Sequence, residues 1–362
     1  MNKYRLIALF ALLSPAIACA ELTIEQLTVQ ARLVESAEPI STAPRWSGRP
    51  DKIVIRDRGV TLDEYEGVEI VLVESESEML EHMDGADAIV GYCSEDLLNA
   101  GHDLVWVQIY WAGVERCLER PQLASGEVVL SNMQKMSSPA IAEHAFIMGM
   151  SLSRMLPSYG RVMDAGEWNG WRGDFVENMR PVAGQNLLVV GLGGIGSEVA
   201  RLGHAMGMTV TGTRNSSRDG PDYVKYVGLS HELHDLAAEA DIIVSALPLT
   251  TATRGIFDAD FFAAAKPGAL FVNVGRGASV VTADLMAALD SGQIGGAGLD
   301  VTDPEPLPPE HPLWQYHNVI ITPHVAGAGG TQERHAVLLR ENLRRFVAGE
   351  KLLNVVDPEK GY

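Results

Sequence analysis

The sequence predicts an α/β protein whose sheets are parallel and covered by helices on both faces. Three observations carry that prediction. Short apolar runs alternate with helical stretches along most of the chain, which is the pattern of a parallel sheet with helical crossovers. Runs such as 187–190 and 242–246 are apolar at nearly every position, as in strands buried on both faces. Finally, Gly191-Leu192-Gly193-Gly194-Ile195-Gly196 stands between an apolar run and a helical one.

The elements follow in order. Residues 23–37 read as a surface helix, with Ile24, Leu27, Ala31 and Val34 at helical spacing and Thr23 with Gln26 in capping-box positions. The stretch 39–50 holds Pro39, Pro44 and Pro50 and reads as a linker. Strands are expected at 52–56, 68–73, 88–90 and 105–110, with helices at 80–83 and 95–99 between them. Pro139 opens a long helical stretch to about Met163, with an interruption expected at Pro157. Beyond it the alternation is regular: strands at 187–190, 209–213, 242–246, 270–274, 297–301 and 319–322, a helix at 195–206, and a last long helix at 331–348.

The length of 362 residues suggests two domains. Lys and Arg number 28 against 47 Asp and Glu, a net charge of −19, so the chain is a poor coat for a phosphate backbone or an anionic membrane. No metal-ligand spacing is present. Residues 1–20 have the three-part plan of a secretory signal: Lys3 and Arg5, an apolar run from Leu6, and the small residues Ala18-Cys19-Ala20. That run is too short to span a bilayer comfortably, so no stable membrane span is expected. Removal of these residues leaves Cys93 and Cys117, either as one disulfide or as two free thiols. The expected location is the periplasm or outside the cell. A cytoplasmic protein with an uncleaved start is the alternative.

The glycine turn points to dinucleotide binding. Gly191 permits the tight turn, Gly193 and Gly194 let backbone N–H groups approach a pyrophosphate, and Gly196 lets the helix opened by Ile195 pack close to the strand. The positive end of the helix dipole then faces the phosphates. NAD sites usually place an acidic residue about 20 positions past the first glycine, for the ribose 2′-hydroxyl. Here Arg214 stands in that region, followed by Ser216 and Ser217. A guanidinium pairs with a 2′-phosphate and cannot accept from a hydroxyl, so NADP is favoured over NAD. The alternative gives the acidic role to Asp219.

Three motifs lie at expected strand ends: Asn273-Val274-Gly275-Arg276-Gly277, Gly298-Leu299-Asp300-Val301 running on to Glu305-Pro306, and Thr322-Pro323-His324-Val325-Ala326-Gly327. Carboxyl ends of strands build the ligand crevice of an open α/β sheet, and an Arg, a Glu and a His arriving there form a plausible acid–base site. Together with the glycine turn, Leu247-Pro248-Leu249-Thr250, and Asn132 with Ala142-Glu143-His144, they resemble the D-isomer-specific 2-hydroxyacid dehydrogenases, a family that includes glyoxylate/hydroxypyruvate reductases. The resemblance runs from about residue 132 to 324 and is diffuse before that.

The resemblance implies roles. Arg276 holds the substrate carboxylate and polarises the keto oxygen, His324 gives a proton to that oxygen or takes it back, and Glu305 fixes the tautomer of His324. Asp300 accepts from the nicotinamide carboxamide, and Leu247, Pro248, Thr250 and Val274 line the cofactor. Tyr92, Tyr110, Ala112 and Gly113 are the candidates for the substrate loops, with backbone N–H groups near Gly113 binding the carboxylate. The implied fold is two Rossmann-like or flavodoxin-like lobes, a cofactor lobe at 140–325 inserted into a substrate lobe at 51–139 plus 326–362, with 21–50 as an extension not typical of the family. A homodimer is expected through the cofactor lobe, with Trp168 and Trp171 in a loop that serves as its arm. The expected activity is reduction of a small 2-oxo acid to its D-2-hydroxy acid. A ligand sensor on the same fold is the alternative.

Overall fold

The computed structural model describes residues 22–168, 173–215 and 217–361. The signal-like start, Trp171 and Ser216 lie outside them. The amino-terminal part opens with α1 (Ile24–Ala31), capped by the expected Thr23–Gln26 box. The helix stops six residues earlier than the spacing suggests, because Arg32 turns into the left-handed region at φ 48°. Next come β1 (Lys52–Arg56), β2 (Glu69–Val73), α2 (Glu76–Glu81), β3 (Ala88–Val90), α3 (Glu95–Ala100), β4 (Trp106–Gln108), α4 (Pro121–Ala124) and β5 (Val129–Ser131). The sheet order is β2-β1-β3-β4-β5 and every pairing is parallel. β5 is a strand the sequence reading passes over.

The helical stretch that follows is two helices, α5 (Ser138–Ser153) and α6 (Leu156–Asp164). The break comes before Pro157, at Met155, whose φ of 56° ends α5. Pro157 then sits in the first turn of α6, where its missing N–H costs nothing. After α7 (Gly173–Asn178) the second sheet begins. It contains β6 (Asn186–Val190), α8 (Gly194–Ala205), β7 (Thr209–Arg214), β8 (Tyr226–Leu229), α9 (Leu233–Ala237), β9 (Ile242–Ser245), α10 (Ala259–Ala264), β10 (Ala269–Asn273), α11 (Thr282–Asp290), β11 (Ile294–Leu299) and β12 (Val319–Ile321). α12 (Gln332–Ala348) is the last helix and packs into the core of the first sheet.

The second sheet is also all parallel, in the order β12-β11-β10-β9-β6-β7-β8. The chain reverses direction across the sheet between β6 and β9. A reversal of this kind opens the crevice in which doubly wound folds bind dinucleotides. β8, four residues long, is a further strand the sequence reading misses. Each sheet is covered on both faces. Phe257, Phe261 and Phe271 fill one side of the second sheet, and Val189, Val199 and Val272 the other.

Residues 39–50 are not the free linker their prolines suggest. Ile40 is buried with Ile53, Trp106 and Phe346 in one core. Trp46 meets Phe346 edge-on at 5.8 Å. Ser36 N donates to Leu352 O and Ile40 N to Glu350 O. The extension is therefore built into the core around α12, and burying its apolar side chains is what holds it there.

Candidate active site

The glycine turn joins β6 to α8. Gly191 has φ +95°, and a side chain there would press on Leu247 Cδ2 at 2.9 Å. A side chain on Gly196 would collide with Gly191 O. Around Gly193 a Cβ would find nothing within 4 Å. Gly193 is also the N-cap of α8 and provides no side-chain hydrogen bond to the helix. Gly193 thus leaves room at the start of α8 and gives its first N–H donors no side-chain acceptor, while Gly194 next to it is covered by Lys135 and Ser138. A dinucleotide pyrophosphate fits that surround by charge, by donors and by room. Ile195, in the first turn of α8, packs against the core beneath.

The other expected cofactor residues gather round the same turn. Leu247 and Pro248 leave the end of β9. Thr253 Oγ1 folds that segment by donating to Pro248 O at 2.6 Å and accepting from Thr250 N at 2.8 Å. Gly275 packs against the Leu247 backbone, its Cβ position 2.6 Å from Leu247 O, and Val274 is buried beside it. Arg214 ends β7, and its buried Nε has no hydrogen-bond partner. Arg218, by contrast, is held by Glu232 at 2.8 Å. Asp219 is exposed.

The strands β10, β11 and β12 are neighbours, so their carboxyl ends are neighbours too. Asp300 N donates to Asn273 O, and His324 N donates to Asp300 O at 2.8 Å. Asp300 is only 3% exposed. Its carboxylate receives Thr322 Oγ1 at 2.6 Å, Val325 N at 2.9 Å and Ala326 N at 3.0 Å. These bonds hold the loop on which His324 adopts φ 54°. They take three of roughly four acceptor positions of the carboxylate. His144, from α5, meets the same loop through Thr322 Oγ1 at 2.9 Å.

His324 Nδ1 lies 2.7 Å from Glu305 Oε1, and both side chains are about half exposed. The carboxylate accepts, so Nδ1 carries the hydrogen. Arg276 follows β10. Its carbonyl accepts from Asn273 Nδ2 and Ser279 Oγ, and its Nη1 donates to Gly275 O at 2.9 Å. The guanidinium crosses to the other lobe, where Nε meets Glu115 Oε1 at 3.0 Å. Nη2 fills the space a side chain on Gly113 would need. Glycine at 113 is therefore a requirement of the close approach. Sequence reasoning missed Glu115, which follows the expected substrate loop without any motif to mark it.

The substrate loops are more packed than expected. Tyr110 donates its hydroxyl to Arg56 O at 2.9 Å, and burial pushes that hydroxyl up to about 12. It is a structural tyrosine with no free donor for a ligand. Its exposed neighbour is Trp111, at 40%. Ala112 O accepts from Asn132 Nδ2 at 2.7 Å, which fixes the loop before Gly113. Tyr92 lies under the Arg56 guanidinium at 4.9 Å. Cys93 and Cys117 form a disulfide that ties the Tyr92 loop to the segment after Gly113. This settles the alternative between one bond and two thiols in favour of the bond.

A cavity of about 280 Å³ lies elsewhere, lined by Ser153, Asp241, Gly268, Gly292 and Asn318. It sits at the amino ends of the strands, opposite the edge where doubly wound sheets bind ligands. Among the described residues, no helix is long and apolar enough to cross a membrane.

Residues 146–326 match the model for D-isomer specific 2-hydroxyacid dehydrogenase, NAD binding domain. An uncharacterized protein of Corynebacterium melassecola is 41% identical over 182 residues, 49% of this chain and 59% of that protein. The match therefore spans less than two thirds of that relative's length. A glyoxylate reductase of Aeropyrum pernix is 34% identical over 238 residues, 64% of this chain and 70% of the relative. Among solved structures, an NADPH-dependent glyoxylate/hydroxypyruvate reductase of Sinorhizobium meliloti, in complex with NADP and sulfate, aligns with a TM-score of 0.73 at 30% identity. That alignment covers 86% of this chain and 100% of that one.

Proposed function

This chain belongs to the D-isomer specific 2-hydroxyacid dehydrogenase family, and from that premise we propose that it is an NADPH-preferring reductase of a small 2-oxo acid of the glyoxylate or hydroxypyruvate type. The observation that carries the reading is the His324–Glu305 pair at 2.7 Å, standing on the same sheet edge as the glycine turn. When bound, the reduced nicotinamide supplies a hydride to C2 of the substrate. His324 delivers a proton from Nε2 to the keto oxygen as negative charge develops there. Glu305 accepts from Nδ1–H and holds the ring in place for the transfer. Arg276 binds the substrate carboxylate and places a cation beside the same oxygen. The backbone N–H groups near Gly113 complete the carboxylate site. Trp111 bounds the space for the C2 substituent, in place of the packed Tyr110.

Arg214 supports the cofactor preference. It is a guanidinium with an unpaired buried Nε, at the strand end where an acid would serve NAD. The chain's two lobes meet through Arg276 and Glu115, so lobe closure excludes water around the reacting carbon. Homodimer formation is part of the reading: Ile147, Leu156, Met163 and Trp168 are large apolar side chains left exposed on α5, α6 and the loop after them, with Trp168 at 99%. So is export, supported by the signal-like start and by the Cys93–Cys117 bond. The deciding experiment follows NADPH oxidation at its near-ultraviolet absorbance against a panel of 2-oxo acids, with NADH in parallel. Turnover of a small 2-oxo acid with NADPH is expected. Clear NADPH binding with no turnover on any acid would mark a sensor instead.

A further inference from the structure

Outside the active-site residues, three cations from three separate parts of the chain gather beside α8: Lys135 at its first turn, with Arg32 and Arg334 next to Lys135. Lys135 precedes α5 and sits at φ 70°. Its stem covers Gly194, whose Cβ position is 2.8 Å from Lys135 Cγ. Its amine donates to Arg32 O at 2.6 Å, where α1 of the extension ends. Arg334, in the first turn of α12, donates to Gln30 Oε1 at 3.2 Å and reaches toward Lys135 O. Its buried Nε has no partner. Arg32 is exposed and lies within electrostatic reach of both Lys135 and Tyr223. Tyr223 itself donates to Ser197 O on α8.

Among the described residues none of the three cations makes an ion pair. Glu198, the acid that acts on Arg334, is itself bound to Arg201 at 2.9 Å. Burial pulls both Lys135 and Arg334 below their ordinary values, and the neighbouring Arg32 pulls Lys135 further. Like charges packed together without a counter-ion are costly in the free protein. An anion placed among them relieves that cost. The helix N-terminus beside them also attracts an anion.

We propose that Arg32, Lys135 and Arg334 form a cationic wall beside the glycine turn that binds the pyrophosphate of the dinucleotide, so that the amino-terminal extension is part of the cofactor site. The proposal rests on the reading that a dinucleotide occupies the α8 turn. It assigns a binding role to Arg32 and Arg334, which lie far in sequence from any cofactor motif. It also explains why residues 22–50 are built into the core: α1 must be held firmly for Arg32 and Gln30 to stand where they do.

The test measures dissociation constants in the full-length protein by NADPH fluorescence, with competition by ADP-ribose 2′-phosphate and by adenosine 2′-monophosphate. Arg32→Gln and Arg334→Gln should each weaken NADPH about tenfold, the loss of one charge-assisted hydrogen bond. Arg32→Lys, which keeps the charge, should restore most of it. ADP-ribose 2′-phosphate should lose as much as NADPH, while adenosine 2′-monophosphate, which has no pyrophosphate, should be unaffected. Unaltered NADPH affinity in the Arg32→Gln/Arg334→Gln double variant overturns the proposal. So does an equal loss for adenosine 2′-monophosphate, which would move the cations to the 2′-phosphate. Binding is read without turnover, so the outcome stands apart from whether any 2-oxo acid proves to be a substrate.

Discussion

Arg276 Nε and Glu115 Oε1 stand 3.0 Å apart, and this one contact joins the carboxyl edge of the second sheet to the loop after β4 in the first. The guanidinium that the proposed mechanism needs for a substrate carboxylate is already holding a carboxylate of the protein. Substrate binding then exchanges one anion for another. In the proposed mechanism Glu115 competes with that substrate carboxylate for Arg276.

Glu115→Gln should therefore lower KM for the 2-oxo acid. The pair is partly exposed, so its strength is at most about 1 kcal/mol and the fall in KM about fivefold. NADPH affinity should hold. Steady-state kinetics checks this, and a KM that rises would show that Glu115 is needed to aim Arg276.

His324→Gln should reduce kcat by at least about 100-fold, the usual contribution of a positioned acid. Its NADPH dissociation constant should stay within about twofold, since the imidazole acts on the substrate oxygen. Stopped-flow hydride transfer and fluorescence titration read the two quantities separately. Cofactor affinity that falls in step with turnover would argue against proton transfer.

Arg214→Asp should turn cofactor preference toward NADH. The variant removes a donor to the 2′-phosphate and installs an acceptor for the ribose hydroxyl. The ratio of kcat/KM for the two cofactors measures it. An unmoved ratio removes Arg214 from the cofactor site.

Removing the Cys93–Cys117 bond, by Cys93→Ser with Cys117→Ser, should destabilise the substrate lobe by about 3 kcal/mol, as for a closed loop of this order. The bond spans 24 positions and ties the Tyr92 loop to the segment after Gly113. The variant should therefore raise KM for the 2-oxo acid more than the NADPH dissociation constant. Thermal unfolding and kinetics are the measurements. Equal midpoints in both proteins would refute the stabilising role.

Much of this protein could be read locally. The strand–helix alternation, the Gly191–Gly196 turn and the three strand-end motifs depend on residues adjacent in sequence, whose backbone preferences and hydrophobic period act without the rest of the chain. Boundaries were harder. α1 ends at Arg32 and α5 at Met155 because those residues enter the left-handed region, a choice that packing makes and composition does not announce. The sequence reading passes over the strands β5 and β8 but finds β3, β4 and β12, which are no longer.

What the sequence determined by itself is the kind of sheet, the place of the glycine turn, and which residue types reach the carboxyl edge of the strands. Only the tertiary structure decided that Arg276 meets Glu115, 161 positions away, that Cys93 bonds Cys117, that Tyr110 is packed while Trp111 is exposed, and that the extension brings Arg32 beside Lys135. The physical reason is range. Helix, strand and turn preferences are properties of a few consecutive residues, whereas a salt bridge, a disulfide or a cation cluster exists only once burial of the two cores has fixed distant segments against each other.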